Sequence, residues 1–382
     1  MSKVDYLVVG AGFAGLVFAE RVCTQLGKTC LIVDRRGHIG GNSHDEYDQN
    51  GVLYHKYGPH YFRTNSPRVR AYLSQFTDWI PCEYKVLSYT NGRHWSFPIN
   101  LSTYEQIIGR ASTEEEFVAW LTKTKVQLKE IRNSEELILS QVGSELYQQF
   151  FKNYTKKQWG ISARELDPSV CGRIPIRTTR DDRYFSDEFQ ALPKQGYHTM
   201  FNRIVERCGD RLRVSLNTDY MQIGREVKYE FLVYTGPIDE YFSWRFGPLP
   251  YRSLRFEMES FKETDLLTRV EISGKPGFWQ RALQVNFPND NDYTRIVELK
   301  HATGQATPHT AIVKEYPADY HAGGEPYYPV PTKQSADQYK HYEKIAKEAQ
   351  NTIFIGRLAT YRYYNMDQVV GMALAEFERH RN

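Results

Sequence analysis

Cysteine is scarce in this chain of 382 residues, and an excess of either charge is missing. The five cysteines (Cys23, Cys30, Cys82, Cys171 and Cys208) are scattered, odd in number and free of metal-ligand spacing. They argue against a disulfide framework or a zinc site and read as reduced thiols; no metal is expected. Lys and Arg number 49 against 46 Asp and Glu, and a net charge of +3 is too balanced for a general nucleic-acid binder. Long hydrophobic runs are absent too. The longest uncharged apolar-rich stretch, Tyr6 to Ala19, follows Asp5 and is too short to span a membrane. A soluble, cytoplasmic chain without stable membrane insertion is expected. There is no internal repeat and no low-complexity segment. The length predicts two or three domains with ample core. Tyrosine is plentiful, 28 against 20 Phe, which suits surfaces that stack on a flat ring while bonding polar groups.

What is there begins with Val8-Val9-Gly10-Ala11-Gly12-Phe13-Ala14-Gly15, a glycine fingerprint at the end of an apolar strand. Gly10 permits the tight turn, Gly12 lets backbone approach a pyrophosphate, and Gly15 lets the next helix pack on the strand. The helix N-terminus offers unpaired N–H groups and a positive dipole end to the phosphates. Asp34 closes a second apolar run, Thr29 to Val33, where a ribose-binding carboxylate belongs. The chain then continues through Arg35 into a second glycine turn, Gly40-Gly41-Asn42, which nicotinamide dehydrogenases do not need and many flavin enzymes do. No second fingerprint occurs, so no separate nicotinamide domain is expected.

Farther along, residues 100–152 are strongly helical, with Ser112-Thr113-Glu114-Glu115 and Asn133-Ser134-Glu135-Glu136 as helix starts of capping-box type. Tyr229 to Gly236 reads as a further strand of the nucleotide sheet, ending in a Thr-Gly turn. Asn351 to Arg357 reads as the last strand, with a helix from Met366. The fold class is therefore α/β: a discontinuous Rossmann-like FAD-binding domain (1–80, 190–242 and 340–382), a helical-bundle insertion (100–152) and an antiparallel β-sheet substrate domain (81–99, 153–189 and 243–339). Gly10, Gly12, Phe13, Ala14, Gly15, Asp34, Arg35, Gly41, Asn42, His60, Gly236, Arg357 and Met366 are expected at the cofactor.

Arginine and tyrosine mark the other half of the site. Arg173 opens a basic run to Arg183, followed by Tyr184, and Arg252, Arg255 and Arg295 lie beyond it. Guanidinium groups bond phosphate oxygens bidentately and keep their charge at any working pH. Most arginines in such runs are solvated or paired with neighbours such as Asp181 and Asp182. Interleaved acids argue against a nucleic-acid stripe and favour a small, doubly anionic substrate. Trp159, beside Tyr154, could be a core residue or a platform for a base or sugar. His60, in the glycine-bounded loop Gly58-Pro59-His60, would approach a flavin ring.

These segments together resemble the bacterial UDP-galactopyranose mutase family nearly end to end. The resemblance is carried by His38-Ile39-Gly40-Gly41-Asn42, Tyr154 to Gly160, Arg173-Ile174-Pro175, Tyr184-Phe185-Ser186-Asp187, Tyr251-Arg252-Ser253-Leu254, Tyr293-Thr294-Arg295, Glu325 to Pro329 and Gly356-Arg357-Leu358-Ala359. It implies an FAD enzyme that interconverts the pyranose and furanose forms of a nucleotide-linked galactose with no net redox change, through an adduct between N5 of reduced flavin and the sugar. It further implies Arg173 and Arg295 as a diphosphate-binding pair, Arg173 on a mobile loop, and Trp159 and Tyr184 around the uridine and sugar. Tyr328 and Tyr363 are implied as further diphosphate contacts, His60 beside the flavin and Arg357 near the cofactor. Tyr154 and Arg252 are expected on the substrate side. An external reductant and a homodimer belong to the same expectation.

Two departures concern the sugar. Arg63 stands where the family pattern has a second histidine, and Tyr363-Tyr364-Asn365-Met366-Asp367-Gln368 replaces Tyr-Tyr-Asp-Met-His-Gln. UDP-galactose, UDP-N-acetylgalactosamine and a dTDP-6-deoxyhexose stay open as substrates. The competing readings are an FAD-dependent amine oxidase or desaturase, which would favour an apolar tunnel over paired arginines, and a non-catalytic flavin or nucleotide-sugar binding protein.

Overall fold

Four-residue runs of apolar side chains, Tyr6–Val9, Cys30–Val33 and Phe231–Tyr234, are buried on both faces, as the strands of a parallel sheet must be. They form the centre of a five-stranded sheet in the order Leu212–Ser215, Cys30–Val33, Tyr6–Val9, Phe231–Tyr234, Thr352–Phe354, with all pairings parallel. Alternate side chains go to opposite faces. Tyr6, Val8, Cys30, Ile32 and Val233 meet the helices Phe13–Arg21, Gly196–Cys208 and Met366–Arg381 in the main core, while Leu7, Leu31, Val33 and Leu232 form a smaller core with Tyr220, Tyr229 and Tyr241. The computed structural model describes residues 3–223, 226–321 and 324–381. None of its helices is long and apolar enough to cross a membrane.

The helical insertion comprises Leu101–Ile108, Glu114–Thr124 and Ser134–Leu146. Thr113 and Asn133 cap the last two by accepting from the backbone N–H groups of Glu116 and Glu136. Helical structure then runs past residue 152 through a wide turn, Tyr147–Lys152, into Asn153–Trp159, where Gly160 ends it in the left-handed conformation. Trp159 is thus delivered by the last turn of the insertion.

A seven-stranded sheet has the order Tyr328–Pro329, Tyr251–Lys262, His309–Asp319, Arg295–Val297, Gln284–Asn286, Val86–Thr90, Arg93–Phe97. Every pairing is antiparallel except Gln284–Asn286 with Val86–Thr90, which is parallel. The expected antiparallel sheet is therefore mixed at one seam. That seam joins two distant chain segments, so no hairpin turn forces antiparallel pairing there. Register sets charge against charge: Arg295 lies opposite Glu315 and Arg252 opposite Asp319, both carboxylates on His309–Asp319. Phe62–Thr64, Phe189–Pro193 and Trp79–Pro81 make a small antiparallel sheet between these parts.

A Cβ added at Gly15 would lie 2.0 Å from the carbonyl oxygen of Gly10, whereas one at Gly27, in a left-handed turn, would meet nothing within 4 Å. Gly15→Ala is expected to cost about 3 kcal/mol or more by forcing the helix off the strand. Gly27→Ala should cost about 1 kcal/mol for its backbone conformation alone. Denaturant unfolding of the two variants checks this, and equal losses would contradict it.

Candidate active site

The first glycine turn opens one long cleft across the C-terminal edge of the parallel sheet. Gly10, Gly12, Phe13 and Ala14 line it from the fingerprint, and Asp34, Arg35, Gly41 and Asn42 from the second strand and turn. Gly236, Arg357, Met366 and His60 line it farther along. The two glycine turns face each other: a Cβ on Gly41, whose φ is +56°, would come 3.1 Å from Cα of Gly12. Gly15 does not line the cleft but packs beneath it. Asp34 accepts from the backbone N–H groups of Ala11 at 2.7 Å and Arg36 at 2.9 Å, which fixes its carboxylate at the rim. Arg35 is paired with Glu240, and Arg36 bridges Asn42 and Glu325 while covering the Tyr57 ring.

His60 stands at the far end. Its Nδ1 lies 2.9 Å from the Gly58 carbonyl, so Nδ1 carries the proton and donates, leaving Nε2 an acceptor. Its backbone N–H donates to His55 Nδ1, and the Tyr197 hydroxyl donates to its carbonyl. Burial pushes the His60 pKa down to about 4, and the Arg357, Arg295 and Arg36 cations add to that. The imidazole is neutral at pH 7.

Beyond His60 lies an aromatic cluster with two guanidinium groups. The Trp159 ring meets Tyr328 at 6.0 Å and Tyr363 edge-on at 5.6 Å between centroids, and Tyr328 meets Tyr363 at 5.1 Å. Arg173 sits 3.5 Å above the Tyr363 ring and donates to the Tyr363 carbonyl at 2.6 Å. Arg357 donates to the Tyr327 and Tyr364 carbonyls, 5.4 Å from the Tyr363 centroid. Among the described residues neither arginine has an ion-pair partner. Desolvation, together with the Arg357 and Arg63 cations, lowers the Arg173 pKa, which marks a site that an anion would relieve.

Arg295 is placed differently. Its guanidinium donates to one oxygen of Glu315 from Nε at 2.9 Å and from its terminal nitrogen at 2.7 Å. Burial acts to lower its pKa, but Glu315 more than reverses this, and the group stays a firm cation beside Tyr154 and Tyr328. Tyr184 lies close enough to Arg295, Arg173 and Arg63 to feel their charge. Arg252 lies behind the cluster. It is 7% exposed, paired with Asp319, and its guanidinium donates to the carbonyls of Gln158 and Lys157 at the end of the Trp159 helix. Arg63 is held by Asp187 at 2.6 Å and lies over the Phe185 ring. Asn365 precedes the last helix, with its backbone N–H on the Gln368 side chain.

The cleft also contains residues that the sequence does not mark for the cofactor: Arg36, Thr218 to Met221, and Glu325 to Tyr327, a stretch that carries the family resemblance without an assigned role. Arg36 lies in the segment from the ribose carboxylate, where its spacing could have flagged it. Thr218 to Met221 reach the cleft only through the fold.

Comparison with known proteins settles the lineage. The profile of the UDP-galactopyranose mutase family matches residues 149–363, and that of an NAD(P)-binding Rossmann-like domain matches residues 8–76. A probable UDP-galactopyranose mutase of Klebsiella pneumoniae is 35% identical over 98% of this chain and 94% of its own length. The chain belongs to the UDP-galactopyranose mutase family. A dTDP-fucopyranose mutase of Escherichia coli is 32% identical over 98% of this chain and 97% of its own length. In fold, the chain is similar to a crystal structure of reduced UDP-galactopyranose mutase, with a TM-score of 0.78 at 16% identity, covering 100% of this chain and 94% of that one. A putative protoporphyrinogen oxidase from Exiguobacterium has a TM-score of 0.67 at 11% identity, covering 100% of this chain and 99% of that one, which speaks for the fold alone. The protein is a flavin-dependent nucleotide-sugar mutase, an isomerase, and the cleft fits FAD. Its facing glycine turns leave room for backbone to approach a pyrophosphate, and the Asp34 carboxylate is fixed on the same cleft.

The histidines behind the cleft give the fold a pH dependence. Burial lowers His38 to about 4, His55 to about 3 and His60 to about 4, against an ordinary value of 6.5. The unfolded chain therefore binds more protons between pH 6.5 and about 4, so their contribution is complete above pH 6.5 and is lost as pH falls through that window. Asp45, pushed up to about 6 by burial, works in the opposite sense and offsets about one proton. The melting temperature is expected to fall from pH 7.5 to 5, read by thermal denaturation. A flat profile would contradict it.

Proposed function

We propose that this mutase interconverts the pyranose and furanose forms of a nucleoside-diphosphate hexose of the UDP-galactose type, with Arg173, Arg295 and His60 as its catalytic residues. The observation that carries this reading is the pair of guanidinium groups that have no carboxylate partner among the described residues, Arg173 and Arg357, over Tyr363 at the cofactor cleft. Reduced FAD, when bound, supplies the nucleophile, so the exchange needs no Ser or Cys nucleophile from the protein.

The protein's own residues then have three tasks. Trp159, Tyr184 and Tyr154 shape the nucleotide end, where an aromatic face stacks on a base and a hydroxyl meets the ribose or phosphate. Arg173 and Arg295, assisted by Tyr328 and Tyr363, face the diphosphate and stabilise the charge that accumulates as it departs. They do so differently: Arg295 is fixed in advance by Glu315, whereas Arg173 rests on a ring and a carbonyl that it can leave. His60 presents an unprotonated Nε2 towards the flavin end, and Arg63 and Asn365 border the sugar. An external reductant, a homodimeric assembly and a cytoplasmic setting complete this reading.

Chromatographic assay of the dithionite-reduced protein against UDP-galactose, UDP-N-acetylgalactosamine and a dTDP-6-deoxyhexose tests it. Ring-form exchange on at least one is expected, only under reducing conditions. Bleaching of oxidised flavin by amines, with no exchange, would favour the oxidase reading instead. Arg173→Ala should lower kcat/KM by about 100-fold or more, about 3 kcal/mol of transition-state stabilisation, with flavin content unchanged. Near-normal turnover in that variant would remove Arg173 from the assignment.

A further inference from the structure

Lys157 lies two residues before Trp159, and its ammonium group is spent entirely on main chain. Nζ donates to the carbonyls of Phe287 at 2.5 Å, Asn291 at 2.7 Å and Tyr293 at 3.2 Å, which accounts for all three of its donors. Those carbonyls belong to the loop that feeds the strand of Arg295. The loop is fastened on both sides: Phe287 N–H donates to the Thr294 carbonyl, and Thr294 N–H to the carbonyl of Glu315, the partner of Arg295. Asn153 and Asn289 add a side-chain hydrogen bond between the same helix and loop at 2.9 Å. From the opposite side Arg252 donates to the Lys157 and Gln158 carbonyls. The end of the Trp159 helix is therefore held between two cations, one reaching the Arg295 loop and one reaching Asp319.

We propose that Lys157 is a positioning residue for nucleotide-diphosphate recognition: its charged ammonium locks the Trp159 platform in register with Arg295, so that affinity depends on its protonation. The inference rests on the reading that Trp159 and Arg295 contact the nucleotide diphosphate. A neutral amine keeps only two N–H donors for three carbonyls, so one carbonyl loses its partner and the loop loosens. Burial lowers the Lys157 pKa to about 8, while Asp292 and Asp290 on the loop hold it up. Arg252, bonded to the Lys157 carbonyl, is the charged group facing it from the strand. The buried ammonium therefore gives up its proton closer to neutrality than an exposed lysine would.

The test uses the purified flavoprotein and titrates UDP and dTDP, taking whichever binds wild type more tightly. Wild-type Kd should begin to rise near pH 8, stand about fivefold above its pH 7 value by pH 9 and level off about tenfold above it. Lys157→Arg, which stays charged, should abolish that rise relative to wild type, cancelling any titration of the nucleotide itself. Lys157→Met should raise Kd at pH 7 about tenfold and raise KM far more than it lowers kcat. A wild-type profile identical to that of Lys157→Arg would overturn the proposal even if the Met variant failed to fold, as would a Met variant with unchanged Kd. Trp159→Ala separates the two layers. If it binds nucleotide like wild type, the nucleotide reading fails; if it binds weakly while Lys157→Met binds normally, only the role of Lys157 fails.

Discussion

A buried carboxylate beneath an arginine joins the two halves of this molecule. Glu315 is 1% exposed and lies directly across the strand pair from Arg295. Two ions taken out of water cost several kcal/mol each unless geometry and hydrogen bonds return it, and here Arg295 contacts one oxygen twice. The same oxygen sits where a Cβ on Gly58, at φ +80°, would come within 2.7 Å. The loop carrying His60 is thus laid against the ion pair, and only glycine allows it so close. One pair therefore fixes the height of His60 over the cofactor cleft and the direction of Arg295.

The contrast between arginines organises the rest. Arg295 and Arg252 are both satisfied by carboxylates on the strand His309–Asp319, so that strand acts as a rail on which the substrate side is built. Among the described residues, Arg173 and Arg357 meet carbonyls and ring faces rather than acids. Cations held by dipoles and quadrupoles keep more of their field for an incoming anion than cations neutralised by acids. A site of this composition suits a diphosphate that arrives, departs from the sugar and returns. It suits an amine substrate poorly.

Local chemistry made the cofactor side legible in the sequence. The fingerprint, Asp34 and the second glycine turn each have one physical job, and the cleft brings together nearly every residue they point to. The parallel seam between Gln284–Asn286 and Val86–Thr90 was not legible, because parallel pairing of remote segments leaves no turn signature. The role of Arg252 was also hidden: a guanidinium bonding two helix-end carbonyls looks, in sequence, like one reaching for phosphate. Lys157 lies inside a segment whose conspicuous residue is its tryptophan, and its three carbonyl partners come from a loop about 130 residues away. Main-chain acceptors have no residue identity, so sequence cannot announce them.

The two departures from the family pattern belong together on the same physical grounds. Arg63, in place of the family's histidine, is a permanent cation held by Asp187 and stacked on Phe185. Asp367, where the family pattern has another histidine, opens the last helix beside Met366, which lines the cofactor cleft. Burial raises the Asp367 pKa, the Thr64 hydroxyl and Arg63 pull it down, and Asp187 pushes it up again. One Asp367 oxygen is buried without a hydrogen-bond partner. Two imidazoles that could each be neutral have been exchanged for a cation and an acid close enough to sense each other. Asp187 already compensates the Arg63 guanidinium, and Asp367 places a second acid within range of the same cation. Arginine brings five donors and no acceptor, so at this position the side chain can only donate, where a neutral imidazole could also accept. Reverting Arg63 alone would leave Asp187 and Asp367 without the cation that both now sense.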